Sequence, residues 1–201
     1  MVGVSLPTAP TRPRRTWPAA LGISLGFVAL LWVLELVDAL PGVQWDDDGI
    51  RPRTGDGLVG VLLAPLLHGG FDHLASNSLL AALLLFLVLL GGVGRGLAAT
   101  AVIWLLGGLG TWLVSPAGTV HLGASGLVFG WLVYLVLRGF VARRVGQMVL
   151  GVVLLVVYGG LLWGVLPGQP GISWQGHLFG ALAGAVAAYV VARPGADTSR
   201  G

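Results

Sequence analysis

Four residues of this chain carry side chains suited to acyl transfer: Ser125, His177, His73 and Asn77. A serine hydroxyl is a weak nucleophile until a base takes its proton. Imidazole is matched to that task near neutral pH, which makes His177 the candidate base. Such a site also needs donors for the oxyanion that develops during attack. Ser125 sits in Gly123-Ala124-Ser125-Gly126, at the start of an apolar stretch running from about Ala124 to Leu137. If that stretch is a helix, the Ser125 backbone N–H lies among its unpaired N-terminal donors, where the helix dipole favours negative charge. His73 and Asn77 are four residues apart, so they share a helix face and can add side-chain donors. No acidic residue lies in the segments bearing Ser125 and His177, so the chemistry would be that of a dyad rather than a triad.

The elements that must position these groups are membrane helices. Of 201 residues, 56% are hydrophobic and only 9% charged, with a mean hydropathy of +0.90. About a quarter of the residues in a soluble domain are charged, so an ordinary soluble protein is excluded. There is no cysteine, hence no disulfide framework and no thiol chemistry. Apolar runs predict spans over Pro18–Val37, His73–Leu90, Leu97–Val114, Val145–Val165 and Ser173–Val191, with the Ser125 stretch as a short fourth span among six. The first run is too long for the apolar core of a signal peptide. Leu58–Leu67 is apolar but short and carries Pro65, which suits a partly inserted piece of a long first loop. Residues 1–17 and 193–201 read as polar cytoplasmic tails around one domain over 18–192. Arg138 is expected to close the Ser125 helix, giving it a length of roughly 21 Å against a bilayer core of ~30 Å. Ser125 would then start inside the membrane. The loop Ser115–Gly123 would have to be buried in protein or line a wet cavity.

Six spans place both ends on one side. Arg12, Arg14, Arg15, Arg95, Arg138, Arg143, Arg144, Arg193 and Arg200 fall on that side, and only Arg51 and Arg53 on the other. This asymmetry predicts cytoplasmic termini. It also accounts for the sequence pI of about 10.2 by arginines beside lipid headgroups, with no nucleic-acid partner. His73, Asn77, Ser125 and His177 then all lie in the outer half of the membrane, where polar groups are costly and point to function. Gly126 and Gly130 on one helix, and Gly180 and Gly184 on another, are spaced for close helix packing that would bring His177 to Ser125.

Three motifs share this order and placement: His73-Leu74-Ala75-Ser76-Asn77, Gly123-Ala124-Ser125-Gly126, and His177-Leu178-Phe179-Gly180 with Gly184. They resemble the HxxxN, GxSG and HxxGxxxG signatures of the rhomboid intramembrane serine proteases, on that family's second, fourth and sixth spans. The resemblance covers about residues 18–192. It implies an all-α six-helix membrane bundle whose short central helix carries the nucleophile. It also implies Ser125 as nucleophile, His177 as base, and His73, Asn77 and the Ser125 backbone N–H as the oxyanion site. Its substrates would be transmembrane proteins, cut near the extracytoplasmic face without metal or cofactor; the compact six-span form, read without a targeting peptide, suits a bacterial inner membrane. The loop 166–172 and the fifth span resemble the family's cap and lateral gate. Two departures stand out. Phe129 occupies the position where many bacterial members have a tyrosine stacked on the histidine, and the Trp-Arg pair of some first loops is not evident.

Each feature alone also has a plainer reading. A Gly-x-Ser-Gly can be helix packing, His177 a carbonyl-bonded core histidine, and Asn77 interhelical glue. Asp72 reads as the N-cap of the second span, Glu35 and Asp38 as interfacial, and His68 and His121 as loop hydrogen-bonding groups. None of the zinc spacings occurs. From other classes, a catalytically silent rhomboid-like protein that binds transmembrane helices is the alternative. A small transporter would want charge at the midplane of its central spans, and these hold none.

Overall fold

The computed structural model describes residues 16–169 and 171–192. Of the expected tails over 1–17 and 193–201, residues 1–15 and 193–201, with Arg12, Arg14, Arg15, Arg193 and Arg200, lie outside the described residues, as does Pro170 of the 166–172 loop, while Trp17 is the first residue of a helix. The described residues form seven α-helices with no named strand: α1 (Trp17–Asp38), α2 (Gly55–Leu63), α3 (Phe71–Leu90), α4 (Val93–Val114), α5 (Ser125–Ala142), α6 (Val145–Tyr158) and α7 (Trp174–Val191). By length and composition, five segments can cross a membrane: α1, α3, α4, α7, and α6 continued by the 3-10 segment Gly159–Val165. The Gly159-Gly160 pair marks where α6 tightens, since two adjacent glycines give the α-helix little to hold its pitch.

Helix α5 is the hub. It packs against α3, α4, α6 and α7, while α1 packs on α3 and α2 on α4. Its Trp131, Leu132 and Leu135 are fully buried against Leu84 and Val88 of α3 and Ala187 of α7. Phe27 of α1 meets Trp131 edge-on at 6.0 Å. Outward faces of the peripheral helices expose Leu and Val, as surfaces in contact with lipid tails do.

Helix α5 does not stop at Arg138. It continues to Ala142 and ends at Arg143, which adopts the left-handed conformation at φ 53°. Its 18 residues give a length of about 27 Å rather than ~21 Å. Arg138 is buried at 5% exposure and donates to the Val88 carbonyl at 3.4 Å, with Tyr134 beneath its guanidinium at 5.7 Å. It therefore shares the Val88 carbonyl with the Gly91 N–H at the C-terminus of α3, where a cation is favoured, and is buried in protein. The helix can pass through an arginine because a second helix end supplies the acceptors.

The first loop differs from expectation in detail. The apolar piece is α2 plus a 3-10 turn over Ala64–Leu66, docked on α4 by Trp104 Nε1 to Val61 O (3.0 Å) and Trp112 Nε1 to Thr54 O (2.9 Å). Glu35, near the end of α1, is buried in protein and takes a hydrogen bond from the Gly70 backbone N–H. Asp38 accepts the Trp45 N–H at 2.6 Å. The α3 N-cap is Gly70, at φ 105°, not Asp72. Asp72 instead occupies the first turn, where its charge favours the helix dipole without capping it.

Arg53 caps α4 from outside, donating to Leu113 O (3.0 Å) and Ser115 O (2.7 Å). These carbonyls have no intrahelical donor, so Arg53→Ala should lower stability by about 1 kcal/mol. Thermal inactivation of the detergent-solubilised protein reads this directly; an unchanged melting temperature would mean that water replaces the cap without loss.

Candidate active site

The loop before α5 is held by the first loop. His121 pairs with Ile50 in both directions, with Ile50 N–H to His121 O at 2.8 Å and His121 N–H to Ile50 O at 3.0 Å. Gly123 N–H donates to Ala64 O at 2.8 Å, and Ala124 N–H to His68 Nε2 at 3.2 Å. Two features require glycine at position 123. Its φ is +111°, and a Cβ there would fall 2.7 Å from His73 Cε1. The chain then turns directly into α5, with Ser125 as its first helical residue and half-buried. At that position the backbone N–H has no intrahelical acceptor.

Helices α5 and α7 run in the same direction and touch through backbone. A Cβ on Gly180 would collide with the Gly126 carbonyl oxygen, and one on Gly184 with that of Gly130. This approach carries His177, one turn above Gly180, to the nucleophile. His177 Nε2 lies 2.8 Å from Ser125 Oγ. Its Nδ1 lies 3.0 Å from the Gly164 carbonyl, which can only accept. The ring proton therefore sits on Nδ1, and Nε2 presents its lone pair to the serine hydroxyl. Phe129 stacks on the same ring at 4.0 Å and 12°. Phe129 and the Gly164 carbonyl together fix both the plane and the tautomer of His177.

The Gly164 carbonyl is a participant that residue-type reading misses, because a backbone acceptor is the same at every position. One signal for it exists. A Cβ on Gly164 would lie 2.9 Å from Phe129 Cζ and 3.1 Å from His177 Nδ1, so the glycine is what permits the approach.

His73 and Asn77 line the same cavity as Ser125 and His177, a space of about 750 Å³ also bordered by Trp174 and Gln175. His73 Nδ1 receives the Gly69 N–H at 3.4 Å, which leaves the proton on Nε2 as a free donor. Asn77 Nδ2 donates to the His73 carbonyl at 3.0 Å, using one of its two N–H groups and leaving the other. His68 is fully buried beneath, edge-on to His73 at 5.1 Å. Burial, with His73 beside it as a smaller cause, lowers the His68 pKa to about 4. It thus stays neutral and able to accept the Ala124 N–H. Among the described residues no group of three or more His, Cys, Asp or Glu side chains is arranged to hold a metal ion.

A family model described as the rhomboid domain matches residues 56–194. An uncharacterised protein of Mycobacterium tuberculosis, Rv1337, is 50% identical over 196 residues, 94% of this chain and 82% of its own. ML1171 of Mycobacterium leprae, also uncharacterised, is 42% identical over 196 residues, 94% of this chain and 78% of its own. YdcA of Bacillus subtilis, provisionally named as a rhomboid protease, is 32% identical over 177 residues, 85% of this chain and 86% of its own. No solved structure matches. With a domain match that runs from α2 through α7, and so takes in every residue of the cavity described above, the chain belongs to the rhomboid family.

Proposed function

We propose that this chain is an intramembrane serine endopeptidase. The observation that carries the reading is the 2.8 Å contact between His177 Nε2 and Ser125 Oγ, with His177 Nδ1 tied to a carbonyl. In this mechanism Ser125 Oγ attacks the scissile carbonyl as its proton passes to His177 Nε2. The oxyanion is met by the Ser125 backbone N–H, His73 Nε2–H and the remaining Asn77 N–H. His177 then protonates the leaving amine, giving an acyl-enzyme that water hydrolyses by the reverse path. No step requires a cofactor.

The membrane setting follows the same reading. Residues 18–192 form one domain of six spans, with α5 as the fourth and the termini cytoplasmic. Ser125 then opens toward the outer half of a bacterial inner membrane. Substrates are transmembrane proteins whose segments enter the cavity from the bilayer, cut near the extracytoplasmic face. Helix binding without catalysis would leave the tautomer-fixing contacts of His177 without a use.

Reconstitution in liposomes with a single-span substrate tests this by the appearance of a new N-terminus. The rate should depend on pH through His177. Only neutral imidazole can take the Ser125 proton, so the rate falls about tenfold per pH unit on the acidic side of the His177 titration and levels off above it. A profile with no acidic limb anywhere in the pH range over which the protein stays folded would remove His177 as the base.

A further inference from the structure

The lead-in to the nucleophile meets α7 at a second histidine–serine contact, which the mechanism above does not use. His121 Nδ1 lies 2.7 Å from Ser173 Oγ. His121 precedes Ser125 by four residues, and Ser173 precedes His177 by four. Both contacts therefore join residues 52 apart, as successive rungs between the same two stretches of chain. The protons in the upper rung have one consistent arrangement. Thr119 O–H donates to the Pro116 carbonyl at 2.7 Å, so Thr119 Oγ1 accepts from His121 Nε2–H at 2.9 Å. His121 Nδ1 is then an acceptor and takes the Ser173 O–H. The Ser173 oxygen in turn accepts the Gly176 N–H at 3.1 Å, capping α7. Every donor has one acceptor when His121 is neutral. Burial, which leaves His121 8% exposed, lowers its pKa toward that form.

The anchoring on either side gives the rung its leverage. The His121 backbone is locked to Ile50. The backbone N–H groups of Ile172 and Trp174, just before α7, bond locally, to Gln169 O and Ile172 O. Below the dyad, α5 and α7 are held by the Gly126–Gly180 contact; above it, they are held by His121 and Ser173. We propose that His121 is a positioning residue for the reaction: through Ser173 it sets the first turn of α7 against Ser125 and keeps His177 within proton-transfer distance. This role presupposes the hydrolase reading above. A rung lost above the dyad lets the first turn of α7 drift, and a drift of about 1 Å is enough to cost a large rate factor.

The test is the saturation kinetics of Ser125 labelling by a fluorophosphonate on the full chain in lipid. His121→Phe and Ser173→Ala should each lower the maximal labelling rate about tenfold while the half-saturating concentration stays within about twofold. Both remove the His121–Ser173 contact and Ser173→Ala also removes the Gly176 cap, so the double variant should be no slower than Ser173→Ala alone. Ser173→Thr, which keeps the hydroxyl, should stay within about threefold of the parent. Unchanged maximal rates, or losses that multiply in the double variant, would overturn the proposal. So would a rise in half-saturating concentration alone, since that would make His121 a ligand contact. Should His121→Phe fail to fold, His121→Leu takes its place with the same expected loss, because Ser173→Ala by itself also removes the Gly176 cap. An unlabelled but folded parent would remove the hydrolase reading and this role with it; a labelled parent with unmoved variants would remove this role alone.

Discussion

Ser125→Ala abolishes substrate cleavage, by at least about 10³-fold, and leaves the fold in place. The loss is large because the hydroxyl is the only atom removed and it is the one that forms the covalent bond. The fold survives because Ser125 does not cap α5: the residue at the cap position is Ala124, and the hydroxyl bonds to His177. His177 keeps its Gly164 bond and its Phe129 stacking when the serine is gone. Melting of the variant should therefore stay within about 1 kcal/mol of the parent. His177→Ala behaves differently. It removes the base, and it also leaves the Gly164 carbonyl without a donor and the Phe129 face uncovered. Activity falls by a similar factor, but stability falls too. The double variant should be no less active than the worse single, because base and nucleophile act as one unit. Cleavage assays and melting curves on the three variants check this; a multiplicative loss would mean that the two residues act separately.

Gly180→Ala produces the largest effect expected of a residue that touches no substrate. Its added methyl would collide with the Gly126 carbonyl oxygen, and backbone cannot rotate away as a side chain can. Helix α7 must move outward. Overpacking of this kind costs about 1–3 kcal/mol. The outward shift also lengthens the His177–Ser125 contact, and a displacement of about 1 Å costs on the order of 10²-fold in rate. Gly126→Ala is the control within the same interface. Its methyl would sit 3.3 Å from the Gly176 oxygen, which a few tenths of an ångström relieves. Melting temperature and labelling rate should therefore fall steeply for Gly180→Ala and mildly for Gly126→Ala. Equal behaviour of the two would show that the backbone contact does not set the dyad distance.

How much of this can be read from sequence depends on which groups carry the information. Side-chain chemistry is legible. Ser125, His177, His73 and Asn77 stand out by type, by spacing and by position in apolar runs, and the structure places all four around one cavity. The small-residue spacing of Gly126, Gly130, Gly180 and Gly184 is legible for the same reason. Backbone partners are not: the Gly164 carbonyl and the Val88 carbonyl under Arg138 are anonymous in sequence. Arg138 shows the consequence. An arginine in an apolar run looks like a boundary until the end of another helix is seen to receive it, so the length of α5 follows from tertiary structure. Glu35 is the same problem with the opposite charge, buried because Gly70 comes to meet it. Arg53 is legible as a residue of the first loop but not as the cap of a helix that begins forty residues later. His121 reads as a loop hydrogen-bonding histidine, and only the fold brings Ser173 beside it.

The central claim is that Ser125 is an activated nucleophile and that His177 activates it. It is tested most directly by treating the lipid-reconstituted protein with a fluorophosphonate and locating the adduct by peptide mass mapping. The account predicts a single adduct on Ser125 in the parent and none in His177→Ala. A folded parent without an adduct, or an adduct that survives loss of His177, would contradict it.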